Sequence, residues 1–368
     1  MLLLFVAAST LATPATPHIR VAVVGLVHGH VKGFLSALAK NENVTLVAIV
    51  DPHEAFFRGY ADKFHFDPKI FYTDLEKMLT EQHPDAVLVY TAIADHRRVI
   101  EAAARHHISS MVEKPLATTL EDALAIRDIA RREKVHVLVN YETTWYSSNR
   151  ELFAQAAEHG KLGDIRKVVI HDGHEGPKEI NVEPEFLHWL ADPAQNGAGA
   201  LFDFGCYGAD LMTVLMQGQP PTSVTAVTQT DKPDIYPRVD DDATIILRYP
   251  KTQAVLMPSW NWPFSRKDSE VYGTAGYAIT VGPDHLRIRY RGQDAESQLT
   301  APPLPAPENN SLDYLAAVLH HQIDPEATAD LSSLKINIIV MQILDAARRS
   351  AQTGRTVTLS PLPNKLSQ

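Results

Sequence analysis

Five short apolar, β-branched runs recur through the first 140 residues, and each is followed by a stretch with helical character. The runs are Ile19–Val24, Val44–Val50, 86–90, a run closing on Met111 and Val112, and 135–139. Between them, residues 31–40, 74–82, 97–107 and 121–134 read as helices, the last carrying Ala123, Ile126 and Ala130 on one face. Strands that alternate with helices predict a doubly wound parallel sheet with right-handed crossovers. In such sheets ligands bind where the loops leave the carboxyl ends of the strands. The polar residues at those ends are therefore the ones to read for chemistry.

The first run ends in Gly25-Leu26-Val27-His28-Gly29-His30 and a helix follows, the opening of a dinucleotide-binding unit. Counted from Gly25, the second glycine position holds Val27 and the third holds His30, so the fingerprint is irregular. Its backbone N–H groups, with His28 or His30, are candidates for a pyrophosphate. Asp51 ends the second run at the spacing of an acid that bonds adenosine ribose hydroxyls and repels a 2′-phosphate, which favours NAD over NADP. The alternative is a plain turn at Asp51-Pro52. Thr91, Lys114 and Asn140 stand at the exits of three further strands, where one crevice could collect them. Thr118 and Glu121 after Lys114 have the spacing of a capping box. Without a crevice, Lys114 would be a solvated partner of Glu113.

The order Val24-Gly25, Val50-Asp51, Thr91 with His96 five residues on, and Glu113-Lys114-Pro115 resembles the Gfo/Idh/MocA family of glucose-fructose oxidoreductase and inositol dehydrogenase relatives. The resemblance implies an α/β architecture in two parts. Residues 18–140 would form a Rossmann domain for NAD (NADP being possible), and 141–368 a substrate-binding α/β domain with a large, mostly antiparallel open sheet. It assigns cofactor contacts to Gly25, Val27, His28, Gly29, His30, Asp51, Thr91, His96, Glu113, Lys114 and Asn140. Lys114 would approach both nicotinamide and substrate.

In the second half, a helix over 201–217 would align Asp203, Tyr207 and Asp210 on one face. Read from the residues alone, this is either a site or a tyrosine capping a core contact beside a helix-start aspartate. The resemblance favours the site, through the family's Asp-x-x-x-Tyr variant, and it places His188 and Trp189 near the substrate with Tyr207. His171-Asp172-Gly173-His174-Glu175 has metal-binding residue types, but strand period puts the two histidines on opposite faces, so polar lining and no metal is the expectation. From 222 onward, short strands separated by polar turns suit antiparallel neighbours. Asp240-Asp241-Asp242 reads as a solvated strand start, Trp260 and Trp262 as a stacking platform for a sugar or a dimer contact, 291–310 as a surface loop, and 311–322 and 332–352 as closing helices.

A length of 368 residues suits two domains, and a net charge of −10 without basic clusters argues against nucleic acid. With Cys206 as the single cysteine, no internal disulfide can form. Residues 2–8 with the small residues up to 17 resemble an export signal that lacks a basic start; export to the periplasm is the expectation, and a cytoplasmic location if the segment is not a signal. No apolar run is long enough to span a bilayer.

The resemblance implies a hydride transfer between a nicotinamide and a sugar, cyclitol or polyol, with Lys114 or Tyr207 as base and Asp203 orienting the lysine or the substrate. Both candidate bases titrate near pH 10 when free and need a lowered pKa. A lysine beside the phenol would favour phenolate. The rivals are a glycosidase that oxidises its sugar transiently at C3 with recycled NAD, and a non-catalytic NAD-binding protein. The resemblance further implies a homodimer or higher homo-oligomer formed through the second sheet.

Overall fold

The computed structural model describes residues 18–158 and 160–363, so the segment read as an export signal lies outside the described residues. Six strands, β1 (Ile19–Val24), β2 (Val44–Val50), β3 (Phe71–Tyr72), β4 (Ala86–Val89), β5 (Ser109–Glu113) and β6 (Val137–Asn140), form the first sheet. All pairs are parallel, in the order β3-β2-β1-β4-β5-β6. The strand order reverses between β1 and β4, which opens the crevice expected at such a switch point. Helices α1 (Val31–Leu38), α2 (Glu54–Phe64), α3 (Leu75–Gln82), α4 (His96–Arg105) and α5 (Leu120–Glu133) make the connections. The two-residue β3 left no periodicity to read. The cap of α5 falls one residue later than its spacing suggested: Thr119 accepts from Asp122 N at 3.1 Å, because the carbonyl of Thr118 is held by Arg348 at 3.1 Å.

After α6 (Ser147–Phe153) come β7 (Ile165–Gly173), α7 (Pro184–Leu190), α8 (Pro193–Asn196), α9 (Ala200–Asp203) and α10 (Gly205–Leu215). Then follow β8 (Ser223–Gln229), β9 (Asp242–Arg248), β10 (Gln253–Ser259), β11 (Arg266–Gly273), β12 (Gly276–Thr280), β13 (His285–Tyr290) and β14 (Ser297–Thr300). The chain closes with α11 (Ser311–Leu319), α12 (Leu334–Thr353) and β15 (Val357–Thr358). Nine strands make the second sheet in the order β14-β13-β12-β11-β7-β10-β9-β8-β15, antiparallel except for β7 beside β10. Strand β14 lies inside the stretch read as a loop; its Ser-Gln-Leu-Thr sequence is polar and mostly exposed, so alternation could not reveal it.

Alternate residues of the central strands, among them Val168, Ile170, Ile245, Leu247 and Leu256, bury against α10 and α12. Each such side chain stabilises by roughly 1.5–3 kcal/mol. Gly208 brings α10 down onto Leu256, where a Cβ would meet that side chain at 3.1 Å. The opposite face of the sheet carries half-buried Val169, Ile246, Val255 and Met257. Helices from the end of the chain cross back to the first sheet. Leu312, Leu315 and Val318 of α11 share a core with Val21 and Val23, and Ser332 O accepts from Val139 N of β6 at 3.0 Å.

Candidate active site

The glycine turn is set by one close approach. Gly25 has φ +89, and a Cβ there would stand 2.7 Å from Thr91 N and 2.8 Å from Tyr90 C, so no other residue fits. Asp51, buried at the end of β2, accepts from Leu26 N through one oxygen and from His53 N through the other, both at 2.8 Å. Beside this lock lies a cavity of about 510 Å³ lined by Gly25, Val27, Asp51, Thr91, His188 and Trp189. A cavity at the carboxyl ends of parallel strands, beside a tight strand-to-helix turn and with an acid at the next strand's end, fits a nicotinamide dinucleotide.

The remaining residues assigned to the cofactor fall into three groups. His28 is buried among Phe186 and Trp189 (ring centroids 4.7 and 5.4 Å), and burial holds its pKa well below the ordinary histidine range, so it is an uncharged wall rather than a phosphate cation. Gly29 lies against Phe186. His30 Nδ1 is 3.0 Å from Glu113 Oε2, and Asn140 donates to Glu113 Oε1 at 3.2 Å, a chain of contacts at the carboxyl ends of β5 and β6. His96 is fully buried behind the crevice, with its pKa lowered to about 4 by burial; its Nδ1–H donates to Leu116 O at 3.2 Å and supports the loop after Lys114. His188 and Trp189 line the same cavity as Gly25 and Asp51, and Trp189 Nε1 donates to Val27 O at 3.2 Å, pinning α7 over the glycine turn.

Lys114 is the hinge between the two sheets. Its Nζ donates to Asp203 Oδ1 at 2.5 Å and to Asp203 O at 3.1 Å, and both side chains are buried. The carbonyl is available because the helix read over 201–217 breaks at Phe204: Tyr207 N bonds Phe204 O, leaving Asp203 O to the ammonium and to the Cys206 thiol, which donates at 3.3 Å. The second carboxylate oxygen accepts from Trp260 Nε1 at 3.0 Å. Burial pulls the Lys114 pKa down, but Asp203 outweighs it together with lesser neighbours, and the amine ends above its ordinary value. Burial likewise lifts Asp203, and Lys114, His174 and Trp260 together carry it below the usual carboxylate range.

Tyr207 shares the site but not in the expected way. Lys114 Nζ lies 5.2 Å from its ring centroid and Lys267 Nζ 4.7 Å, so both cations stand near the ring rather than bonding its hydroxyl. Burial, with the nearby acidic groups, drives the phenol well above its ordinary pKa. The anticipated phenolate is therefore replaced by a neutral phenol. A second cavity of about 500 Å³ opens beside it, lined by Glu142, Tyr146, His174, Phe204, Arg266 and Lys267. Lys267 pairs with Glu142, which also accepts from Tyr146 Oη at 2.5 Å.

Other sequence readings change. Trp260 is fully buried and holds Asp203, so it is no stacking platform. The acidic triplet is not a solvated strand start: Asp240 accepts from Gly199 N and Leu201 N, and buried Asp241 from Asp231 N, Lys232 N and Asn261 Nδ2. Asp210 shares no site with Asp203; it is fully buried, and neither carboxyl oxygen has a partner among the described residues. His28, His30 and Glu113 converge, as do His171, Asp268 and Glu270, but each carboxylate is already engaged, by His30 and Asn140, by Arg266, and by Tyr272. Sequence reasoning missed Lys267 and Glu142, two polar residues among polar neighbours that only their pairing at the second cavity singles out.

Comparison with known proteins agrees with this geometry. Residues 19–141 match a profile described as an oxidoreductase family, NAD-binding Rossmann fold, and 152–279 match the GFO/IDH/MocA C-terminal domain. A trans-1,2-dihydrobenzene-1,2-diol dehydrogenase of Macaca fuscata fuscata is 24% identical over 284 residues, 77% of this chain and 79% of that one. A 1,5-anhydro-D-fructose reductase of Ensifer adhaerens is 26% identical over 265 residues, 70% and 76% of the two chains. Among solved structures, an inositol dehydrogenase homolog complexed with NAD+ from Azotobacter vinelandii superposes with a TM-score of 0.80 at 22% identity, covering 93% of this chain and 98% of that one. With profile matches that together span more than half of its length and a buried Lys114–Asp203 pair between them, the chain belongs to the Gfo/Idh/MocA family of NAD(P)-dependent oxidoreductases.

Proposed function

We propose that this oxidoreductase moves a hydride between NAD and a carbinol carbon of an uncharged sugar, cyclitol or related polyol, with Lys114 as the proton carrier. The observation that carries the reading is the buried Lys114–Asp203 contact at 2.5 Å, directly after β5 and beside Phe204, which lines the second cavity. When bound, the nicotinamide supplies or accepts the hydride. In the reducing direction Lys114 gives a proton from Nζ to the substrate oxygen, while the Asp203 carboxylate and carbonyl keep the ammonium aimed. In the oxidising direction the amine must be neutral first, and a positive charge brought beside it lowers its pKa. Tyr207 keeps its proton and serves as a hydrogen-bond donor.

An uncharged substrate is favoured because the cations of the second cavity are already balanced, Lys267 by Glu142, Arg266 by Asp268 and Arg287 by Glu296. Relatives named for a vicinal diol and an anhydro-sugar support an oxygen-rich carbon skeleton. Asp51 favours NAD, since a 2′-phosphate would meet a buried carboxylate. The half-buried apolar face of the second sheet supports a homodimer, which light scattering of the purified protein tests. Export is tested by finding the mature amino terminus near residue 18 in a periplasmic fraction.

The central test is to identify the nucleotide released from purified protein, then follow reduced-nicotinamide absorbance across a panel of sugars, cyclitols and anhydro-sugars. Turnover by Lys114→Ala equal to the parent's would remove the proposed chemistry.

A further inference from the structure

His174 is not needed by the proton chemistry just described, yet it is held more tightly than a lining residue requires. It follows the end of β7, and its ring stands perpendicular to Phe204 at 4.9 Å. The same Phe204 ring lies 5.9 Å from Lys114 Nζ, so the imidazole and the ammonium border one aromatic floor. Gly176 N–H donates to His174 Nδ1 at 2.9 Å, which occupies that lone pair. A neutral imidazole with an acceptor at Nδ1 carries its proton on Nε2. Burial keeps the ring below the ordinary histidine pKa despite Asp203 nearby, and Lys114 and Lys267 add to the lowering. No described protein group accepts from Nε2, and the residue lines the second cavity.

The support behind this turn is elaborate. Gly176 has φ +128, and a Cβ there would lie 2.3 Å from Glu179 Oε2 and 2.7 Å from Tyr236 Oη. Lys232 Nζ donates to Glu175 O at 2.7 Å, Glu179 Oε1 at 2.6 Å and Trp260 O at 2.7 Å, using all three of its protons. Trp260 is the residue whose indole holds Asp203. One ammonium therefore fixes both the histidine turn and the support of the Lys114–Asp203 pair. Rigid coupling of that kind sets the distance between two polar contacts on one ligand.

We infer that His174 is a further substrate-contacting residue, a fixed Nε2–H donor to a second substrate oxygen beside the one served by Lys114, which selects vicinal oxygen pairs over lone alcohols. The inference rests on the oxidoreductase reading above and specifies its substrate class.

Two measurements test it. With NAD+ and either trans-cyclohexane-1,2-diol or cyclohexanol, the parent should favour the diol. His174→Phe should lower kcat/KM for the diol about tenfold, the loss of one hydrogen bond, and change cyclohexanol less than about twofold. His174→Asn, which keeps a donor, should recover part of the diol preference and serves if the phenylalanine variant does not fold. Equal losses on both alcohols would show a merely structural histidine and overturn the inference. Separately, nitrogen-15 histidine spectra of the parent at pH 7 should show His174 as the Nε2–H tautomer; an Nδ1–H or doubly protonated ring overturns it whether or not either alcohol reacts. If neither alcohol reduces NAD+ in the parent, the proposed substrate class is in error, and the tautomer still decides the donor.

Discussion

The two cavities are of similar size and built on opposite principles. The dinucleotide crevice works through main chain: the Gly25 turn, the amides of Leu26 and His53 locked on Asp51, and the Val27 carbonyl held by Trp189. The second cavity works through side chains, each held by another: Lys114 by Asp203, Asp203 by Trp260, Lys267 by Glu142, and His174 by the Gly176 amide. A turn held by its own main chain tolerates an irregular glycine fingerprint as long as the one position under contact stays glycine. That is why Val27 and His30 can occupy glycine positions without dissolving the crevice.

The contrast can be broken most directly at its junction. Lys114→Ala should lower turnover by roughly 10³-fold or more, as expected for loss of a general acid–base group, measured by steady-state kinetics on whichever substrate the panel yields. Asp203→Asn leaves an uncompensated buried ammonium and should cost about 3–5 kcal/mol of stability in denaturant unfolding. Its pH dependence has a defined sign. Asp203 has a lowered pKa when folded, so its contribution is present above the unfolded value near 4 and is lost as pH falls through the folded one. Lys114 has a raised pKa, so its contribution is complete below the unfolded value near 10.4 and is lost as pH rises through the folded one. The difference between parent and variant should be flat from about pH 5 to 9 and shrink at both ends.

On the main-chain side, Gly25→Ala should raise the NAD+ dissociation constant and cost about 1–3 kcal/mol, because the strained φ and a Cβ against Thr91 have no room to relax. An affinity unchanged in calorimetry would show that the crevice does not depend on that approach. Asp210→Asn sharpens the comparison from the other direction. Burial raises the Asp210 pKa well above normal, so the folded state holds a proton that the unfolded chain releases, and stability falls as pH rises above about 4. The variant should therefore be more stable than the parent at neutral pH, by about 1–3 kcal/mol, with the gain vanishing in acid. The smallest effect belongs to Trp260→Phe, which removes one hydrogen bond to Asp203 worth about 1 kcal/mol and should lower turnover several-fold without touching NAD+ affinity.

Much of the first half was legible because its determinants are local. The apolar runs, the glycine at a strand end and the position of Lys114 follow from periodicity and turn chemistry within a dozen residues. Partners separated in the chain were harder. The Asp-x-x-x-Tyr pair pointed to the right helix, but the break at Phe204, which frees the Asp203 carbonyl, has no local signature beyond Gly205. Trp260 looked like a surface aromatic because its neighbours Asn261 and Pro263 are loop-like, while its indole answers to a residue 57 positions earlier.

The sequence by itself determined a doubly wound sheet, a sheet-rich second domain, a glycine turn at the end of the first strand, and a lysine delivered to a strand's carboxyl end. These are consequences of which side chains can sit at period two or 3.6 and which backbone angles a residue accepts. Only the tertiary structure decided that this lysine is answered by an aspartate 89 residues away, that Tyr207 offers its ring rather than a phenolate, and that Lys232 ties His174 and Trp260 together. Such pairings depend on how two sheets and the helices that cross between them pack. Contact across that distance is selected by burial and charge in three dimensions, and nothing in the neighbouring residues of either partner records it.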